Sequence, residues 1–402
     1  MFLLTNDQRT CLGLPLIKAG WEWVRLKDSP YEEKGVENWA CFDDTVIRRM
    51  VRCGPDCYQE GQYVEETTQE RMLILPRTAR GKPKKLSAVT LSERRAFGRG
   101  FSWQGKWGSV WLGNDDLQRV LYSNRFETEK IKSFSEFCVW LDRWMADTTS
   151  GDLADIAAFS RQTRQRVKFR EGDFFRFPVG RRQYGYGRVL LDYYRMTKRQ
   201  PAWSVVMARP VVVKVYHLIT EDPKVPVEEL RNLPALPAQY TTDNDLYYGQ
   251  FPIVGNLRLQ REELDYPVMY GGSIDSRDKG KGKVYLQCGP LFRQLEGAQV
   301  LCGCEGFRNN GVGGLRIDRE LWEACIIAGN NSPFWEWQTA RDRDVESAIR
   351  EGKPRVRLRD LRNPAYWDKL EAVCRQFGIM AEELSIGESS AGHHTPKREV
   401  TF

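Results

Sequence analysis

Residues Val211-Val212-Val213-Lys214-Val215-Tyr216 form an almost unbroken run of β-branched side chains. Such a run carries neither a helical stripe nor a polar alternation, so it fits a strand covered on both faces. That strand needs a sheet around it, and the neighbouring sequence supplies one. Further short apolar runs occur at 174–179, 186–191, 204–207, 253–254 and 284–288, and the Val-rich run extends to residue 218. Dense Pro and Gly between these runs favour turns over crossover helices. Residues 167 to about 330 are therefore predicted to form a curved antiparallel sheet or half-open barrel, with small helices at the rim.

The preceding residues, 1–147, read as a separate β-rich domain. Runs at 36–42 and 46–51 flank Asp43-Asp44, a hairpin signal. Strands are also expected at 58–64, at 72–75 before Pro76, and at 101–103 and 110–112 around a Gly-punctuated turn. The period then changes. Phe134, Phe137, Cys138, Leu141, Trp144 and Met145 recur at three- and four-residue steps, one face of an amphipathic helix that closes this small sheet. Residues 148–166 read as a helical linker. Residues 331–385 read as a helical extension, with helices at 342–351 and 364–377. Pro364 suits the first turn of the second helix and Gly378 its stop. Residues 386–402, polar and rich in Gly, Ser and His, read as a disordered tail. The class is α+β and mostly antiparallel β, in two domains, as expected of 402 residues.

Partners are constrained by charge and by the N-terminal segment. MFLLTNDQRT holds too few apolar residues for a signal h-region, and no run of eighteen apolar residues occurs, so a cytoplasmic protein is expected. Its ten irregularly spaced cysteines fit free thiols in a reducing compartment. The net charge is only +7, but it is unevenly spread. Nine basic residues between Arg161 and Arg188 face only Glu171 and Asp173. Such a segment can meet an acidic protein or phosphates, or can lie on solvated loops and helix faces.

No catalytic centre assembles from the residue types. Of three histidines, His217 sits in the Val-rich strand, while His393 and His394 lie in the tail. A Ser-His-Asp or Cys-His arrangement would have to use His217, which reads instead as a core or strand-edge residue. Cys53 with Cys57, and Cys302 with Cys304, lack a second ligand pair at zinc-like spacing. The glycine-rich stretch 306–314 lacks the GK[ST] ending of a phosphate loop and reads as a surface loop. Adjacent acidic pairs such as Glu228-Glu229 and Glu262-Glu263 read as surface charge. No enzyme, metal or cofactor is expected.

Tyr184-Gly185-Tyr186-Gly187-Arg188 differs from these, because two glycines alternate with aromatics at the entrance to a strand. The stretch 172–191, with Gly172-Asp173, Pro178 and Tyr186-Gly187-Arg188-Val189, is followed by 246–271. There Tyr248-Gly249, Ile253-Val254-Gly255 and Tyr266-Pro267 occur in order. This series resembles immunity protein family 26 of bacterial polymorphic toxin systems. Residues 4–17 and 73–86 look like the companion domain often placed ahead of that module. The resemblance implies a mostly β protein that neutralises a cognate protein toxin by direct binding, without chemistry of its own. Arg181, Arg182, Tyr184, Tyr186 and Arg188 are then the expected partner contacts, with loop arginines steering an acidic surface and tyrosines as anchors. A rival reading makes the loop a strand connection with its tyrosines packed on the sheet. The competing functions are nucleic-acid binding through 161–188 and an enzyme of unspecified reaction. Oligomeric state, toxin identity and the role of 331–402 are left open.

Overall fold

The computed structural model describes residues 2–27, 35–202, 209–273, 281–304, 313–350 and 360–384, with the side chains of 344–350 excepted. The strand expected at 204–207, most of the glycine-rich stretch 306–314, and the tail with His393 and His394 lie outside the described residues. By its internal contacts the chain divides into two compact units.

The first unit comprises Met1–Val167 together with Pro178–Arg182 and Tyr247–Gln250. It opens with helix α1 (Asn6–Leu12), capped by Thr5 and Gln8 in a reciprocal capping box and stopped at Gly13 in the left-handed conformation. Strands β1 (Glu22–Leu26), β2 (Glu37–Asp43), β3 (Val46–Gly54) and β4 (Cys57–Glu66) follow, then the short pair β5 (Met72–Leu73) and β6 (Lys84–Lys85). After helix α2 (Ala88–Ser92) come β7 (Phe97–Gln104), β8 (Ser109–Asn114) and β9 (Arg119–Ser123). All but β5 and β6 join one seven-stranded antiparallel sheet in the order β1-β2-β3-β4-β7-β8-β9. The expected hairpin turns at Asp44, which takes a positive φ of 58°.

Helix α3 (Phe134–Ala146) lays Phe137, Trp140, Leu141 and Trp144 on that sheet, against Tyr58, Phe101, Trp103 and Tyr122. Phe137 stacks on Trp103 with centroids 4.8 Å apart, so the aromatic load of this unit is largely core. Helix α4 (Ser150–Ser160) follows, its N-terminus capped by Thr149 and Asp152.

The second unit comprises Lys168–Phe177, Gln183–Leu246 and Phe251–Phe402. Strand β10 (Asp173–Pro178) begins in it, followed by β11 (Tyr184–Asp192), α5 (Tyr193–Thr197), β12 (Pro210–Thr220), α6 (Val227–Arg231), β13 (Gln239–Thr242), α7 (Asn244–Tyr247) and β14 (Ile253–Asn256). These strands make an open antiparallel sheet in the order β13-β12-β11-β10-β14. The Val-rich run is β12, near the centre, with Val211, Val212, Val213 and Val215 all buried. Strands β15 (Val268–Gly272), β16 (Val284–Cys288) and β17 (Leu291–Leu295) form a second antiparallel sheet. Helices α8 (Arg319–Ala328), α9 (Ser332–Arg350) and α10 (Trp367–Gln376) complete the unit. The expected α+β, mostly antiparallel class takes the form of open sheets with a helical C-terminal part. Helix α9 starts ten residues before the expected 342, and Pro364 opens a 3-10 turn that runs into α10.

Candidate functional site

Five side chains were expected to form the partner surface, and the structure uses them in different ways. Arg181 and Arg182 belong to the first unit, where both are fastened to helix ends. Arg181 lies 3.8 Å over the Trp144 ring, donates to the Trp144 carbonyl at 2.9 Å and donates to Thr148 Oγ1 at 2.7 Å. A guanidinium at the C-terminal end of α3 satisfies an orphan carbonyl and suits the helix dipole. Arg182 donates to the Asp147 carbonyl and pairs with Asp152 at 2.5 Å. Hydrogen bonds from Arg182 first, and from Thr149, outweigh burial and hold the Asp152 carboxyl well below the ordinary carboxylate range. Both arginines line an open cleft of about 250 Å³ with Trp144, Arg143, Glu127 and Glu129. The Arg181 side chain is only 15% exposed, whereas that of Arg182 is 47% exposed.

Tyr184, Tyr186 and Arg188 lie along β11 in the second unit. Tyr186 joins Phe174, Tyr216 and Leu230 in a cluster on one sheet face, with Tyr184 packed at its margin. Tyr186 is wholly buried, and its hydroxyl donates to the Asp222 carbonyl at 2.8 Å. Arg188 is wholly buried as well. It stacks 4.4 Å over Phe174, donates to the Leu257 carbonyl at 2.7 Å and pairs with Glu263. These two side chains hold the sheet to the segments covering it. The expectation of an exposed anchor meets a physical obstacle there, and the strand-connection reading describes Tyr186 better. Tyr184 remains half-buried, with the Arg176 guanidinium 4.6 Å over its ring.

The alternating glycines have a structural cause on the opposite face. A Cβ on Gly185 would come within 2.5 Å of Phe177 and 2.6 Å of Trp322. One on Gly187 would come within 2.7 Å of the Lys214 carbonyl and would strike the Phe175 ring. The motif thus alternates aromatic or basic side chains on one face with a bare backbone on the other, where helix α8 and β10 press close.

Three residues not expected at the site, Lys214, Arg231 and Glu263, gather around Arg188. Lys214 is its cross-strand partner, and Arg231 from α6 donates to the same Glu263 at 3.0 Å. Burial opposes ionisation of Glu263, but the Gln260 N–H, Arg188 and Arg231 prevail and lower its pKa. Glu263 had been read as surface charge. The only available signal was the placement of Lys214 inside an otherwise apolar strand.

His217 is buried, with Nε2 3.1 Å from Asn331 Oδ1, and burial lowers its pKa against the pull of that hydrogen bond. All ten cysteines are unpaired as disulfides, and only Cys302 is exposed. Among the described residues no group of three or more His, Cys, Asp or Glu side chains is placed to hold a metal ion. No helix among them is long and apolar enough to cross a membrane.

The segment from β10 to just beyond β15 contains the Tyr-Gly-Tyr-Gly-Arg strand, the Val-rich strand and the Arg188–Glu263 pair. Residues 170–281 match the family Immunity protein 26. The matched segment covers all five strands of the β13-β12-β11-β10-β14 sheet and also β15, and it contains both stretches that carried the resemblance, 172–191 and 246–271. No curated protein and no solved structure matches the chain.

Proposed function

We propose that the protein is a bacterial immunity protein that neutralises a cognate toxin by binding it directly in the cytoplasm, without turnover. The match of residues 170–281 to an immunity family carries this reading. The fold is consistent with it, since an inhibitor of this kind needs a rigid scaffold with a few anchoring side chains. Tyr184, braced by Arg176 and half-buried at the margin of the sheet face, is the proposed anchor. Arg182 is proposed as a steering charge.

The nucleic-acid reading loses support from the basic segment itself. Arg164 is stacked on Tyr248, while Arg181 and Arg188 are engaged by Trp144 and Glu263. Those charges are committed within the protein and are poorly placed to track phosphates.

The test is co-expression with the toxin encoded beside this gene, followed by binding of the purified pair. Survival with a saturable complex is expected, and Tyr184→Ala should speed dissociation by about tenfold, as loss of a pocket-filling anchor does. No protection and no complex would overturn the reading. Affinity for nucleic acid that collapses with salt would favour its rival.

A further inference from the structure

The seven-stranded sheet of the first unit and the five-stranded sheet of the second each hold a cluster of cations around one carboxylate, but the two differ in a telling way. In the first, Glu60 accepts from Arg9 at 2.5 and 2.9 Å, from Arg49 at 2.5 Å and from Tyr58 at 2.8 Å. Every member is almost fully buried, so the site is sealed and satisfied within itself. In the second, Glu263 is shared by Arg188 and Arg231, and Lys214 makes a third cation.

Lys214 stands directly across the β11–β12 ladder from Arg188, a like-charge pairing that weakens a sheet unless something compensates it. Glu263 compensates only in part. It is already bonded to both arginines, and no ion pair within 4.0 Å reaches Lys214 among the described residues. Asp265, the next acid in electrostatic reach, is bound to Arg362 at 2.7 Å and to the Ala238 N–H at 2.8 Å. The Lys214 ammonium instead lies 5.5 Å from the Tyr216 ring. One buried polar atom beside it, Arg188 Nε, also lacks a hydrogen bond. Buried polar groups are seldom left without partners, and one leaving its donors open beside an unpaired cation marks a place for an acceptor. Unlike the sealed cluster, this one reaches the surface, since Lys214 is half-buried and the Arg231 side chain is 24% exposed.

We propose that Lys214, with Arg231, forms a seat for a carboxylate carried by an acidic segment of a protein partner. The inference deepens the immunity reading and rests on it for the partner's identity, although the seat can be tested without any toxin. An aspartate or glutamate entering here would bring the local count from three cations and one carboxylate to three and two. It would also supply the acceptor that Lys214 lacks. Charge-assisted bonds of this kind are about twice as strong as neutral ones, and they fix the orientation of what binds.

The experiment uses the full chain and a hexaglutamate peptide as probe, with inorganic phosphate as a second probe at matched ionic strength. Binding is followed by calorimetry and by the NMR signals of the Lys214 ammonium and Arg188 guanidinium. Saturable hexaglutamate binding that shifts both signals is expected, weakened at least tenfold in Lys214→Met. That variant should keep or raise the melting temperature, because it removes an unpaired like charge. Lys214→Arg should retain binding. Hexaglutamate binding that is unchanged in Lys214→Met would overturn the proposal, as would the absence of binding. Tighter binding of phosphate than of hexaglutamate would overturn the carboxylate assignment. Failure of the immunity reading looks different: the chain would neither protect cells from the toxin nor bind it, whatever hexaglutamate does.

Discussion

The side-chain amide of Gln250 pairs with both main-chain groups of Val120, accepting from its N–H at 2.7 Å and donating to its carbonyl at 3.0 Å. Val120 lies in β9, the last strand of the seven-stranded sheet, so Gln250 imitates the peptide group of a further strand and occupies part of an otherwise open edge. Open edges invite pairing with other chains, and covering them is one way that proteins avoid it. Gln250 is itself buried, which leaves the two Val120 groups without water if the amide is removed. Gln250→Leu should cost about 1–3 kcal/mol, the usual penalty for stranding buried polar groups. Hydrogen exchange should accelerate at the Val120 amide more than elsewhere in β9. An unchanged rate there would mean that another group replaces the amide.

The Glu60 cluster leads to a larger effect. Arg9 fastens helix α1 to the sheet through Glu60, and Arg49 reaches the same carboxylate from the neighbouring strand. Glu60→Gln would leave two buried guanidiniums without a counter-charge. A loss of about 3–5 kcal/mol is expected, as for other broken buried pairs, measured by urea denaturation. Replacing Arg9, Arg49 and Glu60 together by apolar residues of similar size should cost far less. If the single substitution proves as mild as the triple one, the cluster contributes no such penalty.

What sequence could reveal here follows the range of the interactions. The hairpin at Asp43-Asp44, the apolar face of α3 and the Val-rich strand β12 are written in local pattern, and each appears as expected. Strands β1, β9, β13, β15 and β17 escaped because they are only four or five residues long, and several are edges with mixed exposure. Short edge strands owe their conformation to the neighbour they pair with more than to their own side chains. The candidate site was legible only as a composition, basic residues beside tyrosines. Arg188 and Glu263 are 75 residues apart, so nothing local shows that one is buried by the other. The same holds for Arg181, whose loop position suggested a free charge and whose guanidinium is spent on the end of α3.

That commitment alters what charge reversal should do. Arg181→Glu would remove the stack on Trp144 and bring a carboxylate to the carbonyl end of a helix beside Asp152. A loss of about 1–3 kcal/mol is expected from the lost contacts and the reversed dipole interaction. Arg182→Ala gives up a more exposed pair and should lose less. Thermal melts of the two variants side by side provide the comparison, and equal stability to the unmutated protein would show that both are surface charges.

Gly187 offers a steric test of the five-stranded sheet. A methyl group there would meet the Lys214 carbonyl and the Phe175 ring, neither of which can swing away, because one is main chain and the other is buried. Gly187→Ala should destabilise by about 1–3 kcal/mol, in the range of overpacked cores. Gly151→Ala, near the start of α4 with only Thr149 Oγ1 at 3.6 Å from the added carbon, is the control and should be neutral or stabilising. Chemical denaturation of both variants decides the matter, and a tolerated alanine at 187 would require β11 and β12 to part more easily than their packing indicates.

The last prediction concerns pH. His217 is buried between strand and helix, with the Asn331 amide donating to the Ala235 carbonyl and turning its oxygen towards Nε2. The neutral ring therefore carries its proton on Nε2, while Nδ1 has no partner. A second proton would have to go to Nδ1 in a place that cannot solvate it, and this burial lowers the folded-state pKa below the ordinary 6.5. The sign follows from linkage. A group whose pKa is depressed by folding contributes its full stability above the unfolded value, and that contribution is lost as pH falls through the folded value. Stability should thus decline as pH drops from about 7.5 through the ordinary histidine value and below it. His217→Gln keeps a donor for Asn331 and removes the titration. Urea midpoints across that window should fall more steeply for the unmutated protein than for the variant. Parallel curves would show that His217 can take up its proton in place, and the buried, unpaired Nδ1 would then have to be reached by solvent.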